Sequence, residues 1–238
     1  DPLWSRGLGD VYKRQVAYTD PLIFAAALIA KTQNIKIGFG ALQGAFYHPV
    51  KLAEQISLLD NLSKGRLIVG IGRGSAFNYF EYRGFGVDPE EAQDRLLELE
   101  NNLVGIWNGD IKEFDGKIWN FNIPEIRPSI YTTNGPSVIR ACASLNTVNE
   151  MAKNGRPIML VAHTYENTEK FLTSYKTTLR ENNYDDKFIN NNSLLDRVEI
   201  FSNKTKLFLL SVNTLVLCFL IYSNYYYREV FLICALPL

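Results

Sequence analysis

Between Asp20 and Leu179 the chain alternates short apolar runs with longer segments of helical periodicity, and few folds accept that order. Four runs read as buried strands: IKIGFGAL (35–42), RLIVGI (66–71), SVIRACA (137–143) and PIMLVA (157–162). Helices are predicted around them. Asp20-Pro21 offers an N-cap with Pro at the first helical position, and Phe24, Leu28 and Ile29 form a stripe ending near Thr32. His48-Pro49 opens a second helix, with Ala53, Ile56 and Leu59 in register and Gly65 as its stop. Asp88-Pro89-Glu90-Glu91 reads as a capping box ahead of Ala92, Leu96, Leu99, Leu103 and Ile106. Leu145 to Asn154 predicts a helix ending at Gly155, and Phe171, Tyr175 and Leu179 mark another. Residues 108–131 break the rhythm, with Phe114-Asp115-Gly116-Lys117 as a hairpin-type turn. Strands separated by helices predict a parallel sheet with right-handed crossovers. The fold class is therefore α/β, and both a doubly wound sheet and a (β/α)8 barrel fit.

Charge and cysteine content narrow the function. In 238 residues, 25 Lys+Arg balance 25 Asp+Glu. No basic excess is present to neutralise phosphates, so nucleic acid is not an expected partner. A content of 47% hydrophobic and 21% charged residues excludes bulk disorder. Three Cys cannot form a disulfide framework, so a reducing, cytoplasmic setting is expected. Only His48 and His163 are available for a metal site or a Ser-His-Asp triad, and no metal-ligand spacing appears.

The chain divides into residues 1–15, 16–200 and 201–238. DPLWSRGLGDVYKRQ has neither apolar periodicity nor a signal-peptide core, and is expected to be a non-native scar joined near Val16. All 16 Gly lie at or before Gly155. From Phe201 onward only Lys204, Lys206, Arg228 and Glu229 are charged. The apolar stretch Leu207 to Tyr222 has 16 residues, where a membrane span needs about 20. The main expectation is that this tail is out of frame; a membrane anchor and a buried helix are the alternatives.

Gly70-Ile71-Gly72-Arg73-Gly74 follows a predicted strand, but its G-x-G-x-G spacing is not the dinucleotide fingerprint. The acids that follow, Asp88, Glu90 and Glu91, sit at a helix start rather than a strand end. Arg73 between two glycines at a strand's C-terminal end suits an anionic ligand, with a surface loop Arg as the alternative. Ser144 and Thr147 straddle the start of a helix, where hydroxyls beside free N–H groups favour phosphate. The alternative there is a simple N-cap. His48 reads as a helix-entry residue that caps or packs. His163, after the fourth strand, is a lesser candidate for chemistry, and Cys142 reads as core.

Two stretches, IKIGFGALQGAFYHPVKLAEQISLLDNLSKGRLIVGIGRGSAFNYFEYRGFGVDPEE and SVIRACASLNTVNEMAKNGRPIMLV, resemble the bacterial-luciferase-like flavin-dependent monooxygenase family. The resemblance covers about Ala17 to Ile200. It implies an incomplete (β/α)8 TIM-type barrel, about strands three to six, with cofactor at the C-terminal ends of the strands. It further implies that Arg73, Ser144 and Thr147 hold the FMN phosphate. The Gly40-Ala41 link would match the family's cis peptide beneath the flavin ring. By the same resemblance, a separate flavin reductase supplies reduced FMN, a small organic substrate is oxidised with O2, and the intact relative is a homo- or heterodimer. The family's active-site His precedes the recognisable region, so no catalytic residue is assigned and the chain is expected to be an inactive fragment. A deazaflavin-dependent oxidoreductase on the same barrel is the alternative enzyme. A truncated or membrane-anchored product without activity is the alternative of another class.

Overall fold

The computed structural model describes residues 20–74, 79–160 and 165–192. The chain separates into two compact units, the first ending at Ala141 and the second beginning at Cys142. The expected scar at 1–15, His163 and the apolar tail at 201–238 lie outside the described residues. Among the described residues no helix is long and apolar enough to cross a membrane.

In the first unit, α1 (Pro21–Lys31) starts at Asp20, whose Oδ1 accepts from Leu22 N at 2.8 Å and Ile23 N at 3.1 Å. The run predicted as one strand over 35–42 is two short strands, β1 (Ile37–Gly38) and β2 (Leu42–Gln43). Pairing is interrupted at Gly40–Ala41, whose peptide is cis.

A 3₁₀ turn at Gly44–Phe46 leads into α2 (Pro49–Ser63). Its stop comes one residue earlier than expected. Lys64 takes the left-handed conformation at φ 56°, followed by Gly65 at φ 78°. Strand β3 (Leu67–Gly72) pairs in parallel with β1, with β2 and with β6 (Ser137–Cys142). After β3 come α3 (Tyr79–Phe85), which carried no sequence signal, and α4 (Ala92–Asn108).

The capping box does not form as read. Asp88 caps a 3₁₀ turn at Pro89–Glu91, while the Glu91 carboxylate turns to Arg95 at 2.9 Å. The hairpin does form, as β4 (Glu113–Asp115) and β5 (Asn120–Asn122). Its tip is tethered by one carboxylate, since Glu98 on α4 accepts from the backbone N–H groups of Lys117, Ile118 and Trp119.

The core of this unit lies between the sheet and its helices. Leu67, Val69 and Ile71 of β3 are buried against Leu52, Ile56 and Leu59 of α2 and Leu96, Leu99 and Leu103 of α4. Arg140 points to this same side and forms a buried ion pair with Glu100 of α4. Arg66 ties the layers together at their edge, donating to the carbonyls of Ser63 and Ile35, both at 2.8 Å, and of Thr32 at 3.0 Å.

The second unit contains α5 (Leu145–Lys153), β7 (Ile158–Leu160), α6 (Tyr165–Glu181) and α7 (Asp186–Asn192). Cys142, Val148, Met151, Tyr175, Leu179 and Ile189 form its core. Of the fourth predicted strand, Ile158–Leu160 forms a strand as read, Pro157 does not, and residues 161–162 fall outside the described part.

Candidate functional site

Strand β3 has two unlike faces. Leu67, Val69 and Ile71 meet the helices, so Ile68, Gly70 and Gly72 point to the other side. On that side β3 carries no side chain beyond Ile68. A Cβ built on Gly72 would lie 3.1 Å from the Cβ of Ala141 and 3.8 Å from that of Ala41. Both alanines are partly exposed. The centre of the sheet thus offers a strip of bare backbone edged by methyl groups, and the cis Gly40–Ala41 link lies along its border.

Arg73 leaves the end of this strip with an exposed side chain. Its carbonyl accepts the Tyr82 hydroxyl at 2.8 Å. Gly74 follows at φ 89°, a left-handed conformation that suits glycine. A Cβ there would come within 2.7 Å of Gln43 Oε1 and 3.1 Å of the Tyr82 hydroxyl. Gln43 Nε2 donates to Glu81 at 2.8 Å. Burial pushes the Tyr82 phenol above its ordinary pKa; the Arg73 charge opposes that and Glu81 adds to it.

In the second unit, Ser144 is the N-cap of α5. Its Oγ accepts from Thr147 N at 3.3 Å and lies 3.0 Å from Thr147 Oγ1. The capping alternative for Ser144 is therefore what the structure displays, and the two hydroxyls remain adjacent at a helix start. Gly40, Ala41 and Arg73 belong to the first unit and Ser144 and Thr147 to the second, and each group is described within its own unit.

His48 caps α2: its Nδ1 accepts from Val50 N at 3.2 Å, and its ring packs edge-on against Trp119 at 4.7 Å. Burial lowers its pKa. Cys142 is buried core, as read. Among the described residues no group of three His, Cys, Asp or Glu side chains could hold a metal ion. Sequence reasoning missed Tyr82 and Gln43, which brace the Arg73 turn from separate elements. It also missed the Arg140–Glu100 pair behind the strip. An Arg in an apolar strand was a usable signal for a buried partner, whereas nothing local marked Tyr82.

Comparisons with known proteins point to luciferase-like monooxygenases, with an F420-dependent glucose-6-phosphate dehydrogenase from Nocardia farcinica, 33% identical over 40% of this chain and 30% of that one, also among the matches. A family model described as luciferase-like monooxygenase matches residues 6–189. The oxygenase component of a flavin-dependent trigonelline monooxygenase from Acinetobacter baylyi is 31% identical over 136 residues, 57% of this chain and 38% of that protein. An alkanal monooxygenase alpha chain from the Kryptophanaron alfredi symbiont is 29% identical, covering 79% of this chain and 52% of that one. Among solved structures, the monooxygenase RslO1 from Streptomyces bottropensis superposes with a TM-score of 0.64 at 28% identity, over 70% of this chain and 51% of that chain. The chain spans about half, or less, of the length of these relatives. The fold is accordingly the α/β (β/α)8-barrel type, present in part.

Proposed function

The chain belongs to the luciferase-like monooxygenase family, and we propose that it is the cofactor-binding part of the oxygenase of a two-component system, whose intact protein takes reduced FMN from a separate reductase and oxidises a small organic substrate with O2. One observation carries this reading: the bare strip at Gly70 and Gly72, which ends in an exposed Arg73. A planar ring needs a flat, apolar bed, and Gly72, set between the methyl groups of Ala41 and Ala141, keeps that part of the sheet free of a rising side chain. A phosphate needs charged or backbone donors at the end of that bed. Arg73 offers a guanidinium fork there, and within the second unit Ser144 and Thr147 offer hydroxyls at a helix start, the same kind of phosphate-binding chemistry. The residues present therefore fit FMN. Bound there in reduced form, FMN would supply the electrons that activate O2. The protein's own part is to hold the ring against the strip, anchor the phosphate and exclude water from the bed.

Two measurements test this. Equilibrium dialysis of the chain under anaerobic conditions should retain reduced FMN in preference to a deazaflavin. With a flavin reductase and O2, product formation from candidate substrates should require FMN. Preferential retention of the deazaflavin, or turnover with a nicotinamide alone and no flavin, overturns the proposal.

A further inference from the structure

We propose that Tyr82 is a positioning residue that fixes the direction in which Arg73 leaves the sheet. The inference rests on the reading of Arg73 as the phosphate ligand and adds to it the device that aims the guanidinium. Tyr82 lies on α3, nine positions along the chain from Arg73, and donates its hydroxyl to the Arg73 carbonyl at 2.8 Å. Its ring is 4% exposed, sits with Ala45 and Ala92 in a small core, and meets Phe46 edge-on at 4.9 Å. The hydroxyl is thus presented from a fixed ring, not from a mobile surface side chain.

The carbonyl it holds belongs to the Arg73–Gly74 peptide. Rotation of that peptide is set by ψ of Arg73 and φ of Gly74, and glycine alone would leave it loose. Two contacts remove that freedom. Tyr82 holds the carbonyl. Gln43 packs close to Gly74 from the opposite element, since a Cβ on Gly74 would come 2.7 Å from its Oε1. Gln43 also pairs with Gly72 in the β2–β3 ladder. Glu81, the neighbour of Tyr82 on α3, accepts from Gln43 Nε2 at 2.8 Å and joins the two grips. The turn is clamped between β2 and α3. The phenol is a donor at neutral pH, as any tyrosine is, and burial raises its pKa further.

The clamp acts on ligand binding through preorganisation. Arg73 is exposed and long, and an Arg that must be ordered on binding gives up part of its hydrogen-bond energy. Fixing its backbone reduces that loss for a phosphate and does nothing for a ligand without one.

The test is a fluorescence titration of the full chain with FMN and with riboflavin, using wild type, Tyr82→Phe, Arg73→Ala and the double variant. Tyr82→Phe keeps the ring and removes only the hydroxyl. It should weaken FMN binding by about 3- to 10-fold, the worth of one hydrogen bond, and leave riboflavin unchanged. In the Arg73→Ala background, Tyr82→Phe should cause no further loss of FMN. If Tyr82→Phe weakens both ligands equally, or still weakens FMN when Arg73 is absent, Tyr82 supports the fold and does not aim Arg73. If Arg73→Ala binds FMN as wild type does, the phosphate reading fails and the inference falls with it. If Arg73→Ala weakens FMN while Tyr82→Phe leaves it unchanged, only the inference falls. Should Tyr82→Phe fail to fold, Gly74→Ala displaces the same turn with Tyr82 intact. It should reproduce the FMN-selective loss, and wild-type affinity for FMN in Gly74→Ala overturns the proposal.

Discussion

Breaking the Arg140–Glu100 pair one side at a time should destabilise the protein far more than removing both partners. The side chains are 5% and 4% exposed, so neither half would regain water when its partner is lost. An exposed ion pair contributes about 0–1 kcal/mol, whereas removing one partner of a buried pair costs about 3–5 kcal/mol, because the remaining charge stays desolvated. The burial here selects the second figure. For a chain of this length 1 kcal/mol corresponds to about 2–4 °C in Tm, so Glu100→Leu or Arg140→Met should each lower Tm by about 6–20 °C. The double variant should recover most of that loss, since two apolar groups of similar volume leave no charge behind. A four-variant thermal melt followed by circular dichroism, with urea unfolding for the free energies, measures the cycle. Additive losses would refute the reasoning, as would single variants that each cost less than 1 kcal/mol. Either result would mean that the two groups are not a desolvated pair.

Two further outcomes follow from caps. His48 uses its neutral Nδ1 as the α2 cap, and burial holds its pKa below 6.5. Below pH 6.5 the unfolded chain therefore binds more protons than the folded one, and stability should fall as pH drops from 6.5 toward the folded pKa. His48→Asn keeps a capping oxygen, so its urea midpoint should lack this part of the acid dependence; an unchanged slope between pH 5 and 7 would exclude His48 as its source. Ser144→Ala should cost about 1 kcal/mol as the loss of an N-cap, whereas Thr147→Val should leave that cap bond in place because the donor is the backbone N–H. If Thr147→Val nonetheless weakens FMN more than riboflavin, the hydroxyl binds phosphate; equal affinities would remove it from the site.

Much of the framework was legible because local rules and packing agreed. Asp20-Pro21 and His48-Pro49 begin helices where their chemistry requires, and the apolar stripes of α2 and α4 face the sheet. The strand at 35–42 misled because its apolar run continues past Phe39, which is buried and still donates to Ile68 O at 3.1 Å, into Gly40 and Ala41, where the ladder breaks before Leu42. Hydrophobicity reports burial, not backbone continuity. The box at Asp88 misled because Glu91 had a better partner one turn on, in Arg95. At the candidate site, Arg73, Ser144 and Thr147 could be named because each stands at a strand end or a helix start, whereas Gly40 and Ala41 came only from the family resemblance. Tyr82 could not. Its partner is a carbonyl, which every residue has, and the pairing depends on how α3 folds back over the turn.

The alternating glycines of β3 also bear on how the strand finds its place in the sheet. A slip of one residue exchanges the two faces of a strand. Here it would turn Gly70 and Gly72 toward the helices, opening holes where Val69 and Ile71 now fill the core. The same slip would drive those two branched side chains onto the opposite face, where even a Cβ at Gly72 comes 3.1 Å from that of Ala141. Void and clash would arise together from a single error. The residues that keep the bed clear therefore also act as a register lock, and any substitution that enlarges Gly72 would loosen the proofreading of the sheet as well as crowd the bed.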